Sequence, residues 1–149
     1  MDIEQNKAMN NKVTILTTVY NGLPFLKEAI ESTLNQSYRD FEYLIIDDCS
    51  TDESVKVIES YDDPRIRLVK NTKNLCTADT INRGLSIIDS KYVVRLDQDD
   101  VSLPNRVEEQ IRYLENNPEI DIVCSWEHGI DKNGNKTRDY KTEINNYGE

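Results

Sequence analysis

The chain has 149 residues, of which 37% are hydrophobic and 31% charged, a composition typical of a soluble globular domain. With 28 acidic against 18 basic residues, its net charge of -10 argues against nucleic acid or an anionic lipid surface as a partner. No apolar run approaches the roughly 18 residues of a membrane span, and three widely spaced cysteines indicate neither a disulfide framework nor a zinc site, so a cytoplasmic setting is expected.

Strand-like and helix-like patterns alternate along the chain after a polar start, residues 1–12, that is expected to be a loose lead-in. Runs rich in β-branched and aromatic residues predict five strands, at 13–19, 42–46, 66–69, 92–96 and 120–126. Apolar stripes with helical spacing predict four intervening helices, which begin near Pro24, near Thr51, before Ala78 and at Pro104.

Local signals refine three of these elements. Ser50 and Glu53 have the spacing of a capping box for the second helix. Asn133-Gly134 predicts a tight hairpin turn after the fifth strand. The apolar stripe of the third helix consists of Ala78, Ile81, Leu85 and Ile88.

The alternation predicts an α/β fold, with a mostly parallel sheet and helices on both faces. Right-handed crossovers bring the carboxyl ends of parallel strands to one rim, where ligands bind in open sheets. Three polar clusters follow predicted strands and should converge on that rim. They are Tyr20 with Asn21, Asp47 with Asp48, and Asp97 with Asp99 and Asp100.

The third cluster is a candidate cation site. Asp97 and Asp99 are two residues apart, so in extended chain their side chains face one side. Paired carboxylates either share a proton or hold a cation, and Mg²⁺ and Mn²⁺ prefer oxygen ligands. The alternative is a solvated acidic turn that caps the helix at Pro104.

The other two clusters also leave alternatives open. A carboxylate only accepts hydrogen bonds, so Asp47 or Asp48 could receive the N–H donors of uracil or guanine, and suits adenine less. Either could instead cap the helix near Thr51, although Ser50 and Thr51 can do that themselves. Tyr20 could lie along a base or ribose, or cover the sheet edge.

Two stretches resemble family 2 glycosyltransferases, VTILTTVYNGLPFLKEAIESTLNQSYRDFEYLIIDDCSTDES and LDQDDVSLPNRVEEQIRYLENNPEIDIV, within about Val13 to Asn135. The resemblance implies an inverting enzyme with the GT-A (Rossmann-like) fold. Such an enzyme transfers sugar from a nucleotide-diphospho-sugar to a saccharide or lipid-linked saccharide in polysaccharide biosynthesis. It would act in the cytoplasm or at the inner face of the membrane. Whether it forms a homo-oligomer is left open.

The resemblance also implies roles for residues that would bind the nucleotide. Thr18 and Tyr20 would line the nucleoside pocket, with Asn21 beside them. Asp48 would accept a hydrogen bond from the base, and a UDP-sugar is expected in preference to a GDP-sugar. Asn82, in the helical motif INRGL, would lie near the nucleotide.

At the acidic cluster, the resemblance implies Asp97 beside the ribose and metal, and Asp99 as the main ligand of Mn²⁺ or Mg²⁺. Two residues depart from the family pattern: Cys76 stands where glycine is usual, and Thr80 where arginine is frequent. The family's catalytic base is expected beyond Glu149, so residues 13–149 are expected to be a donor-binding domain incomplete at its carboxyl end.

Two other functions fit parts of the sequence. A receiver-like signalling domain also has alternating βα units and a metal-assisted aspartate. It requires a late strand-end lysine that is not found after IDIVCSW, and its acidic pair follows the first strand rather than the second. A non-catalytic module that keeps the fold and the nucleotide pocket is the other alternative.

Overall fold

The computed structural model describes residues 12–131 and 133–140. The predicted lead-in therefore lies outside the described residues, except for Lys12. The chain divides into two compact units, one up to Glu109 and one from Gln110. No helix in the described ranges is long and apolar enough to cross a membrane.

Strands and helices alternate strictly up to the fourth helix, as predicted. The strands are β1 (Val13–Val19), β2 (Phe41–Asp47), β3 (Ile66–Lys70) and β4 (Tyr92–Arg95), and a later pair, β5 (Glu127–Ile130) and β6 (Lys136–Tyr140). The helices are α1 (Leu26–Leu34), α2 (Ser54–Glu59), α3 (Cys76–Ile87) and α4 (Arg106–Asn116).

The first four strands form one parallel sheet in the order β3-β2-β1-β4. Strand β1 is central: its Val19 is in register with Asp47 of β2, and its Leu16 with Arg95 of β4. The strand order reverses between β1 and β4, and such a switch point opens a crevice at the carboxyl ends of the strands. The prediction of an α/β fold with a mostly parallel sheet is confirmed.

Helices cover both faces of this sheet because successive side chains point to opposite sides. On one face, Leu16, Leu44 and Ile46 form a buried cluster against which Ile81 and Ile87 of α3 pack. On the other face, Tyr43 is fully buried. Its hydroxyl donates a hydrogen bond to Thr17 (3.3 Å) and shares another hydrogen bond with the Thr33 side chain of α1.

The predicted fifth strand at 120–126 is wrong, because this segment has no regular secondary structure. Its apolar residues do not face a core: Ile122 is 81% exposed and Trp126 is 66% exposed. An apolar run becomes a strand only where a neighbouring strand accepts its backbone hydrogen bonds, and none in the described ranges pairs with this segment.

The hairpin turn at Asn133-Gly134 is confirmed. Strands β5 and β6 pair antiparallel on either side of it, and Gly134 adopts φ 78°, which favours glycine. The backbone N–H groups of Asn133 and Asn135 donate to the Asp131 carboxylate at 2.8 and 2.9 Å, which fixes the turn.

Helix starts differ from expectation in two ways. The first and fourth helices begin at Leu26 and Arg106, each two residues after the proline expected at its start. The capping box is absent: Glu53 occupies the N-cap position of α2 without a capping side-chain bond, and the Ser50 hydroxyl accepts from the Asn21 N–H instead (3.0 Å).

The predicted stripe of the third helix is only partly correct. Ile81 and Ile88 pack against the core cluster, whereas Ala78 and Leu85 are exposed. The fully buried positions of α3 are Thr80 and Gly84, small residues that let the helix lie close to the sheet.

Gly84 sets the distance between α3 and the sheet, and we predict that Gly84→Ala destabilises the protein. A Cβ at this position would lie 2.8 and 2.9 Å from the two δ-carbons of Leu16 and 3.1 Å from Cδ1 of Ile46. Overpacking typically costs about 1–3 kcal/mol, against about 1 kcal/mol gained in helix propensity. Urea unfolding should show a net loss of stability for Gly84→Ala, and a gain in stability would contradict the packing described. The exposed neighbour Ser86→Ala is the control, with a change within about 0.5 kcal/mol.

Candidate functional site

A cavity of about 260 Å³ lies at the carboxyl ends of the central strands, bounded by the start of α3. It occupies the switch point of the sheet, where α/β proteins bind ligands, and its volume is near the lower end for ligand pockets. Five residues predicted to form the site line it: Thr18, Tyr20, Asp48, Asp97 and Asp99.

Two predicted residues do not line this cavity. Asn21 adopts φ 50°, a conformation that asparagine tolerates, and its carboxamide oxygen accepts from the N–H groups of Thr51 (2.8 Å) and Asp52 (3.2 Å). Asn21 therefore ties the loop after β1 to the loop after β2. Asn82 is exposed on α3.

Asp48 is buried at the base of the cavity and held by neutral donors. Its Oδ1 accepts from Nδ2 of Asn71 (2.5 Å) and from the N–H of Leu75 (2.9 Å). Burial alone would raise the pKa of Asp48, but the hydrogen bonds from Asn71, Leu75 and Thr80 outweigh it and hold this pKa below its ordinary value. The carboxylate is therefore charged at neutral pH and fixed in orientation.

The donors to Asp48 are positioned in turn by a buried network. Asn71 Nδ2 also donates to the hydroxyl of Thr80 (3.1 Å), and Asn71 Oδ1 accepts from the Arg83 guanidinium. Arg83 donates at the same time to the carbonyl of Lys70 (3.2 Å). Asp48 is thus linked through two residues to the end of β3.

The adjacent aspartate has a different task. Asp47 accepts from the N–H of Ser50 (3.2 Å), and Asp52 accepts from the N–H of Ser54 at the start of α2 (3.0 Å). These carboxylates serve the turn and the helix, so Asp48 is left to face the cavity.

Gln98 lines the cavity and joins the segment after β4 to the segment after β1. Its Oε1 accepts from the N–H of Tyr20 at 2.9 Å, and its Nε2 donates to the carbonyl of the same residue at 3.3 Å. Gly22 lies directly beside it, and a Cβ on Gly22 would come 2.9 Å from Oε1 of Gln98. The segment after β4 is therefore fixed against the segment after β1.

The acidic end of the cavity contains one ion pair and one exposed carboxylate. Arg95 Nη2 lies 2.5 Å from Asp97 Oδ1, and both side chains are about half exposed. The N–H of Asp100 closes a turn onto the carbonyl of Asp97 (3.2 Å), and Asp99 lies exposed within it. Asp97 and Asp99 both line the cavity, although the chain between them is a turn and not the extended segment assumed in the alternation argument.

This donor set suits a divalent cation only together with a ligand. Asp97 and Asp99 supply carboxylate oxygens, which Mg²⁺ and Mn²⁺ prefer. Within residues 12–131 and 133–140, no three histidine, cysteine, aspartate or glutamate side chains are grouped to hold an ion by themselves. Mg²⁺ is commonly held by one or two carboxylates plus substrate phosphates. The two residues therefore fit an ion shared with a diphosphate.

Sequence reasoning did not single out several residues that build the site. Asn71 directly follows β3, so the strand-end rule could have identified it. Gln98 and Arg95 lie in or beside the acidic motif, but nothing in the sequence indicates that one bonds to Tyr20 and the other to Asp97. The role of Thr80, known only as a departure from the family pattern, becomes clear from its contact with Asn71.

A parallel α/β sheet with an acidic cavity at its switch point is the arrangement that the resemblance to GT-A glycosyltransferases implied. The model of glycosyl transferase family 2 matches residues 14–149, and the chain therefore belongs to that family. The resemblance found in the sequence is confirmed, and family membership removes the receiver-like signalling domain as an alternative.

An uncharacterized glycosyltransferase of Methanocaldococcus jannaschii is 38% identical over 135 residues, which cover 88% of this chain and 47% of that protein. The chain spans less than half the length of the curated relatives it matches.

Two solved structures share the fold. Residues 1–349 of S. aureus TarS, in complex with UDP-GlcNAc, match with a TM-score of 0.66 and 21% identity, over 70% of this chain and 31% of that one. The mannosyltransferase PcManGT from Pyrobaculum calidifontis, in complex with GDP-Man and Mn²⁺, matches with a TM-score of 0.64 and 23% identity, over 70% and 32%. At these identities the likeness establishes the fold alone, and it confirms the predicted GT-A architecture.

We predict that Asp48→Asn lowers the free energy of unfolding and makes it depend less on pH in the acidic range. Because the pKa of Asp48 is lowered on folding, its contribution to stability is present above its ordinary pKa and is lost as pH falls through the lowered value. The variant should lose about 1–3 kcal/mol at pH 7 and lose less than the wild type on further acidification. Urea unfolding across pH measures both effects. Asp40→Asn, an exposed change of equal charge, should leave both nearly unchanged.

Cys76 supports a second stability prediction. It adopts φ 66°, where a side chain costs about 1–2 kcal/mol, and it is exposed. Cys76→Gly should therefore be more stable than Cys76→Ala by about 1 kcal/mol in thermal or urea unfolding, the reverse of the usual order of these residues. If the alanine and glycine variants are equally stable, the left-handed backbone conformation at residue 76 is wrong.

Proposed function

We propose that this chain carries the donor site of an inverting glycosyltransferase. The donor is a nucleotide-diphospho-sugar, a UDP-sugar in preference to a GDP-sugar, and the acceptor is a hydroxyl of a saccharide or lipid-linked saccharide. Residues 13–149 form the donor-binding domain in this proposal. The observation that carries it is the opening of Asp48, Asp97 and Asp99 onto one cavity at the switch point of the sheet.

Asp48 reads the base in this proposal. Its carboxylate is charged and can accept the single imide N–H of uracil. Guanine presents two parallel N–H groups that require both carboxylate oxygens, and Oδ1 of Asp48 already accepts from Asn71 and Leu75. This occupancy favours uracil. Thr18 and Tyr20 line the same cavity and are placed to contact the nucleoside, with the half-exposed Tyr20 ring available for stacking.

Asp99 and Asp97 act at the diphosphate. They would hold a Mn²⁺ or Mg²⁺ ion, which would supply Lewis-acid stabilisation of the negative charge on the departing nucleoside diphosphate. Because that charge is larger in the transition state than in the bound donor, groups placed to balance it raise the rate rather than only the affinity. The PcManGT structure, which contains GDP-Man and Mn²⁺ on the same fold, is consistent with this assignment.

Inversion requires the acceptor hydroxyl to attack the anomeric carbon opposite the leaving diphosphate. A general base for that hydroxyl typically contributes 10²–10⁴-fold. We assign the base to none of the three cavity carboxylates, because Asp48 serves the nucleoside and Asp97 and Asp99 serve the diphosphate.

Calorimetric titration with UDP tests this function, with and without Mn²⁺. The wild-type chain should bind UDP about tenfold or more tightly when Mn²⁺ is present, and GDP more weakly than UDP. Asp99→Asn should abolish the gain from Mn²⁺ because it removes the main ligand. Asp40→Asn, which changes the charge equally at an exposed position outside the cavity lining, should keep it.

Two outcomes of the titration separate the possibilities. UDP binding that depends on neither Mn²⁺ nor Asp99 would contradict the proposed site. Slow release of UDP from a bound UDP-sugar would favour an enzyme over a non-catalytic nucleotide-binding module.

A further inference from the structure

Arg95 is the one cation among the described residues that line the cavity, beside the three carboxylates of Asp48, Asp97 and Asp99. It ends strand β4, and Asp97 follows two residues later on the same side of the chain. Three negative charges and one positive charge leave the cavity net negative. A nucleoside diphosphate entering it requires positive groups directed at its phosphates.

Several other donors around the cavity are already used. The N–H of Leu75 donates to Asp48, and the N–H of Cys76 donates to Oδ1 of Asn74 (2.9 Å), so these two groups at the start of α3 do not reach an anion. Both polar atoms of the Gln98 carboxamide bond to the backbone of Tyr20. Thr80, which stands where arginine is frequent in the family, supplies no charge.

We propose that Arg95 binds the diphosphate of the donor, exchanging Asp97 for phosphate oxygens when the nucleotide enters. This inference rests on the proposed function and adds a residue to its site. The planar guanidinium matches a phosphate with two parallel N–H donors. Release of Asp97 costs little because the ion pair is about half exposed, and such pairs contribute weakly.

The backbone around Arg95 is fixed, so the exchange requires movement of the side chain only. The carbonyl of Arg95 accepts from Nη2 of Arg106 (3.0 Å), and the next N–H, of Leu96, donates to the carbonyl of Leu16 (3.1 Å). Without nucleotide, Arg95 occupies a carboxylate that would otherwise be available to a cation. Loss of Arg95 should therefore have opposite effects on two ligands: weaker binding of the nucleoside diphosphate and tighter binding of Mn²⁺ alone.

The test compares Arg95→Gln and Arg95→Lys in the whole chain. Calorimetry with uridine, UMP and UDP in the presence of Mn²⁺ measures the nucleotide, and a separate titration measures Mn²⁺ alone. For Arg95→Gln we expect UDP affinity to fall about tenfold or more, uridine affinity to stay within about twofold, and Mn²⁺ affinity to rise about two- to fivefold. Arg95→Lys should lose less UDP affinity than Arg95→Gln because lysine keeps the positive charge.

Arg67→Gln is the matched control. Arg67 on β3 pairs with Glu42 at 3.5 Å and does not line the cavity, so its loss changes the net charge equally and should leave UDP and Mn²⁺ binding unchanged. Thermal unfolding of each variant verifies that the fold is kept.

The outcomes separate this inference from the function on which it rests. If the wild-type chain binds neither UDP nor GDP, the proposed function fails and this assignment fails with it. If the wild type binds UDP and Arg95→Gln binds it equally well, the Arg95 assignment alone is wrong. An equal loss for uridine and UDP would also overturn it, because the effect would then not involve the phosphates.

Discussion

The pairing of β1 with two parallel neighbours is the constraint on which the site depends. Its backbone hydrogen bonds fix the ends of β2 and β4, and the ladder continues past the strands, with the Asp48 N–H donating to Val19 and the Leu96 N–H to Leu16. Residues distant in sequence are thereby brought to one rim. Because the buried apolar side chains within the strands specify their register, the residues just beyond the strand ends are free to serve chemistry rather than packing.

The three aspartates of the cavity show how one residue type acquires different properties from its surroundings. Asp48 is buried and its charge is supported by amide and backbone N–H donors, which leaves it rigid. Asp97 shares a half-exposed ion pair with Arg95, and Asp99 lies open to solvent. In the proposed function, the fixed carboxylate of Asp48 serves recognition of the base, and the exposed carboxylates serve the cation and the phosphates.

The sequence predicted the architecture well, because hydrophobic periodicity directly reflects burial in a four-strand sheet. It failed at 120–126, where no strand of the described residues pairs with the apolar run, and at Ser50 and Glu53, whose spacing fits a cap that tertiary contacts replace. The strand-end rule identified Tyr20, Asp48, Asp97 and Asp99, four of the ten residues that line the cavity. The partners of Asp48 and the ion pair of Arg95 could not be predicted, since both depend on side-chain directions that spacing does not determine.

The double hydrogen bond between Gln98 and the backbone of Tyr20 has a mechanical consequence. The residue that follows β1 and the acidic motif that follows β4 cannot shift independently without breaking both bonds. Any displacement of the Asp97–Asp99 segment is therefore transmitted to the aromatic side of the cavity. A neutral amide therefore couples the two sides of the cavity beyond the end of the β1–β4 ladder, in addition to the backbone pairing itself.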